Sequence, residues 1–411
     1  MMVYDYIITE IDKTTRFTDK SDGSVIPLPY PYSVPCVKDT FLEMYYWDTY
    51  FTNKGLLLTG RRGQAVNNVY NLSYLLDKFG KIPNGNRAHY VGRSQPPFFG
   101  LMLYDIEKGK TAAGDYKKFY RMLKKEYDFW TEKRITENGL SSYGCDMTEK
   151  ELLGNYGVYR EIHTEKYAER TGVYKENTPE NAGHVIAEYE SGWDFTPRFN
   201  GRCADFNAID LNSLLFADEM LLADFAARSG KKSESELFLI KAEERREKIN
   251  KLCLSDGIYY DYDKANGRTS EVISCASLFP FFTLLSDDRN AFIKTLSRLE
   301  REHGVAAAVY ENTEGNYQWA EPNGWAPLNY VAAKAAFNLG LTDSAKRIAI
   351  KYIRATDNLF EKTGALWEKY NVITGGIEVS SEYGTPEMLG WSAGVYIAFT
   401  EFIKSGFKKL I

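Results

Sequence analysis

Three stretches place an acid directly after a tryptophan: Trp47-Asp48 in YYWDTYF, Trp193-Asp194 in ESGWDF and Trp367-Glu368 in LWEKYN. A carboxylate pressed against indole and phenyl rings loses solvation, so its pKa rises and it can give up a proton near neutrality. One such acid, joined by a carboxylate that activates water or attacks directly, is the minimum needed to hydrolyse a glycosidic bond. The separation of the two carboxyls sets the stereochemistry, and inversion requires roughly 6.5–9.5 Å. Asp194, between Trp193 and Phe195, is the candidate acid, and Glu368, between Trp367 and Lys369-Tyr370, is the candidate base. Asp48, with aromatics on both sides, suits hydrogen bonding to sugar hydroxyls. Each has a plainer alternative. Asp194 could pair with Arg198 or cap a helix, Glu368 could belong to a solvated Glu-Lys face, and Asp48 could be a buried cap or ion pair.

A second polar run, KIPNGNRAHYVGRSQPPFF over 81–99, carries Asn84, Asn86, Arg87, Arg93, Ser94 and Gln95 between Gly and Pro punctuation. It reads as a turn and irregular loop, or as a loop that binds a polyol. Aromatics make up 15% of the chain, which includes thirty tyrosines. Packing accounts for most of these. Even so, six of the seven tryptophans (47, 193, 319, 325, 367 and 391) sit in polar, Gly- or Pro-containing stretches, leaving Trp130 in a helix-periodic run. Sugars offer C–H faces that stack on such rings beside hydroxyls that need charged partners. Other chemistries have no foothold. There is no GxGxxG or GxxxxGK phosphate loop, no nucleophile elbow, and no HExxH spacing among the four histidines at 89, 163, 184 and 303. No metal or other cofactor is expected.

The elements that must hold these residues are helical. Ala65, Val66, Val69, Leu72 and Leu76 recur at helical spacing before Gly80, as do Phe119, Leu123, Tyr127 and Trp130. Leu214, Leu215, Leu221, Leu222 and Phe225 run to Gly230, with Leu237, Ile240 and Leu252 beyond it. Val331, Ala335 and Leu339 run to Gly340, after which Thr342 is the expected N-cap for Ile348, Ala349, Tyr352 and Ile353. Val395, Ala398, Phe399 and Phe402 mark the last helix. Strand signals are confined to an extended leader before Pro35 and a short hairpin at GIYYDYD, 257–263. Helical hairpins with short turns and longer intervening loops make one all-α catalytic domain over 41–411, with 1–40 as a leader packed on it.

Bulk properties bound the rest. The 411 residues are 44% hydrophobic, enough for a large core, with a formal net charge of −5. Lys and Arg are dispersed, so no nucleic-acid footprint or polybasic membrane patch is present. The start, MMVYDYIITEIDK, lacks the pattern of a signal peptide, and five scattered cysteines without a CxxC pair fit reduced thiols, so a cytoplasmic location is expected. The expected partner is a small carbohydrate, with neither nucleic acid nor membrane involved.

Together these stretches resemble the trehalase family of glycoside hydrolases. YYWDTYF is similar to that family's YYWDSYF, IPNGNR…RSQPPFF is nearly identical to its sugar-loop motif, and ESGWDF matches its general-acid motif. DLNSLL (210–215), QWAEPNGWAP (318–327) and EYGTPEMLGWSAGV (382–395) match further motifs in the same order. The resemblance implies an (α/α)6 barrel and metal-independent inversion at an α-glucosidic bond. It implies Asp194 as general acid and Glu368 as general base. It further implies Trp47, Asp48, Asn84, Arg93, Ser94, Gln95, Gly192 and Trp193 as substrate-binding residues, with Glu382 as another active-site carboxylate. It departs from the family at Thr40, where an arginine is usual, at His163-Thr164-Glu165 or Arg160-Glu161, where an Arg-Pro-Glu segment is usual, and at Ala320, where an aspartate is usual. The reading is therefore an exo-acting inverting hydrolase of trehalose or another small α-glucoside. The alternative is a sugar-binding or regulatory protein with weakened catalysis on the same fold.

Overall fold

The computed structural model describes residues 2–107, 113–160, 176–310, 316–379 and 383–411. In chain order its helices are α1 Val3–Glu10, α2 Tyr46–Leu58, α3 Arg62–Phe79, α4 Phe99–Glu107, α5 Ala113–Glu132, α6 Glu149–Arg160 and α7 Pro179–Ser191. They continue as α8 Ile209–Arg228, α9 Lys232–Cys253, α10 Phe279–Phe282, α11 Arg289–Leu299, α12 Ala326–Asn338, α13 Thr342–Thr363 and α14 Gly390–Lys404. Six of these close an inner ring, each touching the next in the order α2, α4, α8, α10, α12, α14 and back to α2. The outer layer alternates with it in sequence as α3, α5, α9, α11, α13 and α1. This is an (α/α)6 barrel, with α6 and α7 added outside the ring between α5 and α8.

Sequence decides which layer a helix joins. The inner helix α2 buries every residue from Tyr46 to Leu56, and α14 buries Gly390 to Phe399, so neither needs a polar face. The outer helix α13 buries one stripe, Ala345, Ile348, Ala349, Tyr352, Ala355 and Leu359, and turns its charges outward. Ring closure between α2 and α14 depends on two glycines. A Cβ on Gly394 would lie 2.1 Å from the Phe51 carbonyl oxygen, and one on Gly55 would lie 2.9 Å from the Gly394 Cα. Only hydrogen side chains permit that approach.

Several local expectations shift. The leader is helical before it is extended: α1 packs on the barrel through Tyr4, which donates to Glu401, and through Tyr6 against Phe360. Only afterwards does Thr15–Arg16 pair with Tyr32–Ser33. In α9, Leu237 and Ile240 are 49% and 57% exposed. The buried stripe is instead Phe238, Ala242, Arg245, Ile249 and Cys253, spaced at the true helical repeat. Thr342 is the first residue of α13 rather than its cap, which is Leu341. The segment 257–263 splits between two sheets. Asp256 and Gly257, both at positive φ, make the tight turn joining Leu254–Ser255 to Ile258–Tyr259, while Tyr262–Asp263 pairs with Phe206–Asn207 and Arg268–Thr269.

Candidate active site

The loops and helix ends at one rim enclose a cavity of about 370 Å³, within the range usual for small-molecule sites. One wall is the start of α2. Asp48 sits in the first turn of that helix, where the aligned N–H groups favour an acid. The Gln95 side-chain oxygen accepts from the Trp47 amide at 3.1 Å and so satisfies one open donor of that helix end. The 81–99 run is stitched to this point. The Asn84 carbonyl accepts from Tyr46 N at 3.1 Å, the Asn84 amide donates to the Arg93 carbonyl at 3.0 Å, and Asn86 Oδ1 accepts from Met44 N at 2.8 Å. A Gly- and Asn-rich segment therefore becomes a fixed loop that aims Asn84, Arg93 and Gln95 at the cavity.

The opposite wall comes from α7. Thr178 caps its start by accepting from Asn181 N, with Pro179 in the first turn, and Gly192 ends it at φ 73°. A Cβ at Gly192 would lie 3.0 Å from the Trp47 ring, so both the backbone angle and the close approach require glycine. The chain then presents Asp194, half-buried with its side chain on the cavity. The 318–320 segment backs it: Gln318 donates to the Asp194 carbonyl at 2.8 Å, and Trp319 N donates to the Phe195 carbonyl at 2.9 Å. Arg198, the alternative partner of Asp194, is committed elsewhere. It forms buried bidentate pairs with Asp210 and Asp261 and stacks on Trp193. The DLN segment is thus scaffolding, with Asp210 on Arg198 and Asn212 on the Ser141 backbone.

The third wall carries Glu368, which lies just before the strand Lys369–Asn371, paired antiparallel to Asn323–Trp325. It is 2% exposed, and each of its carboxyl oxygens has a partner. Lys369 Nζ bonds its Oε2 at 2.5 Å, and the Tyr383 hydroxyl donates to its Oε1 at 2.8 Å. The floor is a cluster of indoles. Trp319 and Trp325 stack at 3.8 Å, Trp47 packs 5.6 Å from Trp319, and Trp391 lies 6.0 Å from Trp47.

Electrostatics divide the acids. Burial pushes the Asp194 carboxyl up to about 7, with the charge of Glu368 adding to the rise and Arg93 and Lys369 opposing it. Burial also raises Asp48 well above the usual carboxylate range, reinforced by Glu368 and then Asp194. Arg93 lies between the rings of Tyr90 and Tyr189, at 5.1 and 4.9 Å, and its Nε and Nη1 have no hydrogen-bond partner among the described residues. Unpaired buried donors beside a cavity are groups awaiting a ligand.

Of the residues singled out from sequence, Trp47, Asp48, Asn84, Arg93, Gln95, Gly192, Asp194 and Glu368 line this cavity. Ser94 and Trp193 lie behind it. The Ser94 hydroxyl donates to the Ile82 carbonyl and its amide to Glu190, while Trp193 is fully buried against Trp319 and Arg198. Glu382, His163, Thr164, Glu165 and Glu161 lie outside the described residues, as does the Arg160 side chain. Thr40 is exposed, and Ala320 is buried in a small cluster with Phe195, Ala308 and Tyr317. The lining also includes Phe41, Tyr45, His89, Tyr90, Tyr189 and Tyr383, which single-residue chemistry did not select. Glu190, one position before ESGWDF's serine, was missed as well. Fully buried, it accepts from Ser94 N, Gly144 N and both arms of Arg134, and so ties α7 to the sugar loop.

A closed helical toroid whose rim cavity joins carboxyls to stacked indoles defines a glycoside hydrolase of the (α/α)6 class. A profile described as trehalase matches residues 6–404. The chain is 33% identical over 393 residues to a periplasmic trehalase of Pseudomonas aeruginosa, covering 91% of this chain and 71% of that protein. It is 30% identical over 420 residues to a periplasmic trehalase of Escherichia coli, covering 96% and 72%. Among solved structures, the neutral trehalase of Saccharomyces cerevisiae superposes with a TM-score of 0.76 at 26% identity, covering 99% of this chain and 81% of that one. A mannosylglycerate hydrolase from Thermus thermophilus shares the fold, with a TM-score of 0.66 at 14% identity. The chain belongs to the trehalase family. The names of the bacterial relatives overturn the expectation of a cytoplasmic protein. The cysteines on which that expectation leaned are free and mostly buried, a state compatible with either compartment when no two thiols are placed to bond.

Proposed function

We propose that this hydrolase cleaves α,α-trehalose, or a closely related small α-glucoside, with Asp194 as general acid and Glu368 as general base. A water held by Glu368 attacks C1 from the face opposite the leaving group and passes a proton to the carboxylate. Asp194 gives its proton to the departing glycosidic oxygen, so the first product is the β-anomer. Afterwards Glu368 carries a proton and Asp194 a charge, and exchange with solvent resets both. Asp48, Asn84, Arg93, Gln95 and the Gly192 backbone hold the terminal glucose over the indole floor, with Glu382 as a further carboxylate. Ser94 and Trp193 support these contacts from behind rather than making them.

The observation that carries the assignment is the contrast between the two acids on one cavity. Asp194 is raised to about 7 and, among the described residues, has no cation bonded to it, while Glu368 is tied to the Lys369 ammonium. A carboxyl whose proton burial retains toward neutrality suits the donor, and one bonded to a cation is held in place to accept. The names of the relatives support trehalose as substrate. No finding supports the alternative of a weakened binding protein. The test is proton NMR of the anomeric signals as trehalose and a panel of α-glucosides are consumed. β-Glucose appearing first from trehalose is the expected result. α-Glucose appearing first from any of them would refute single displacement.

A further inference from the structure

Lys369 is 0% exposed, and among the described residues its ammonium meets one carboxylate, Glu368. Its other contacts are the ring faces of Tyr383 at 4.3 Å and Trp325 at 5.1 Å. Neighbouring side chains along a regular strand point to opposite faces. These two meet because Glu368 lies outside the strand, at a bend where its amide donates to the Pro386 carbonyl at 3.1 Å. The fold therefore spends an irregular backbone and a desolvated lysine on fixing one carboxylate of the cavity. Fully buried cations are rare without a partner and costly when they have one, so a merely structural pair is a poor use of this position.

What the pair can do follows from its neighbours. Among the described residues, the titratable groups that interact with Glu368 besides Lys369 are Asp48, Asp194, the Tyr383 hydroxyl and the Cys36 thiol, and Arg93 acts on Asp194. Three carboxyls in one cavity cannot all ionise cheaply, and something must decide which holds the charge. Arg93 is held by the tyrosine rings on the Asp194 side. Lys369 is bonded to Glu368 directly. We infer that Lys369 is a positioning residue that fixes the negative charge of the cavity on Glu368, and with the Tyr383 hydroxyl orients that carboxylate, so that the proton shared by the acids resides on the Asp194 side before substrate arrives. A lysine serves better than an arginine fork here because it leaves one oxygen free for Tyr383 and presents a compact charge to the other.

The inference rests on Glu368 being the base, and the experiment separates the two. kcat and KM for trehalose are followed against pH for the native chain and for Lys369→Met, Lys369→Arg, Tyr383→Phe and Glu368→Ala, each first checked for fold by circular dichroism and thermal unfolding. Removing an opposite charge at hydrogen-bond distance moves a carboxyl by about 1–3 units. In Lys369→Met the acid limb of the kcat/KM profile is therefore expected to move up by about one unit or more. With the base misoriented, kcat at neutrality should fall by about 10²-fold while KM changes little. Lys369→Arg should return the acid limb to its native place, and Tyr383→Phe should lower kcat without moving that limb. A folded Lys369→Met with an unmoved acid limb, beside an inactive Glu368→Ala, overturns the inference and leaves the base assignment standing. An active Glu368→Ala overturns both. Should Lys369→Met fail to fold, Lys369→Gln, which keeps a donor without the charge, carries the same test. If neither charge-free variant folds, the pair is structural and the inference falls.

Discussion

Asp194→Asn replaces the proposed acid with an isosteric amide, and the structure says what should follow. Asp194 makes no ion pair and accepts no side-chain hydrogen bond among the described residues, and its carbonyl and that of Phe195, held by Gln318 and Trp319, are left alone by the substitution. The fold should therefore survive. A positioned general acid contributes about 10²–10⁴-fold, equal to about 2.7–5.4 kcal/mol of barrier, and that loss should appear in kcat on trehalose. It should nearly vanish on α-glucosyl fluoride, whose leaving group needs no proton. The native enzyme supplies a second reading of the same group. With the carboxyl raised to about 7, the active form is the protonated one, so this group sets the basic limb and kcat/KM declines as pH rises through that value. One unit above, about a tenth of the enzyme remains competent. The assay is kcat/KM against pH for both substrates and both proteins. Equal losses on trehalose and on the fluoride, or a basic limb in the native enzyme indifferent to Asp194→Asn, would refute the role of Asp194.

Two further perturbations test how the site is held. Gly192→Ala puts a methyl at positive φ and 3.0 Å from the Trp47 ring; the backbone alone costs about 1–2 kcal/mol, so the denaturant midpoint should fall and activity should fall further as Trp47 is displaced, and an unchanged midpoint would refute the strain. Glu126, fully buried beside Asp218 and accepting from the Tyr46 hydroxyl, is raised to about 8 by burial. A carboxyl raised above its unfolded value of about 4.3 stabilises most fully below that pH, and its contribution is lost as pH rises through about 8. Glu126→Gln, which keeps an acceptor for Tyr46, should therefore gain on the native protein between about pH 5 and pH 8 in urea unfolding, and a difference independent of pH would contradict the assignment.

How much of this was legible in the chain depends on the range of the interaction. Helices with a strong apolar stripe, such as the one ended by Gly80 at φ 75°, follow from spacing alone, because the stripe and the terminator are local. The burial of an acid follows from its aromatic neighbours, and Asp48, Asp194 and Glu368 all reach one cavity. The same neighbours mislead about the tryptophans. Trp193 turns away to stack with Arg198, and Trp367 turns to bond Thr363 through its indole N–H, because adjacent side chains seldom share a direction. Least legible were the pairings over long separations. Glu190 is 96 positions from Ser94 and 56 from Arg134, and no periodicity encodes a contact closed only by the ring. The exposure of Leu237 and Ile240 on α9 was equally hidden, since an apolar residue beside a buried stripe has the same spacing as one within it.

The departures from the family pattern gain a different meaning once placed. Read as single letters, Thr40 and Ala320 suggest lost contacts to the second half of a disaccharide. In the structure Thr40 is exposed and absent from the cavity lining, whereas Ala320 sits behind it against Phe195, the residue that follows Asp194. The two residues preceding Ala320 hold the acid loop by its carbonyls, and Ala320 itself is buried in an apolar cluster with Phe195, Ala308 and Tyr317. A charged side chain among those apolar groups would be costly to bury. The alanine is therefore consistent with its own surroundings, and its bearing on function runs through the position of Asp194. Phe41, Tyr45, His89 and Tyr90, by contrast, do line the cavity. Rings that offer both a face and a polar edge can hold a sugar as arginines do, with stacking taking the place of charge.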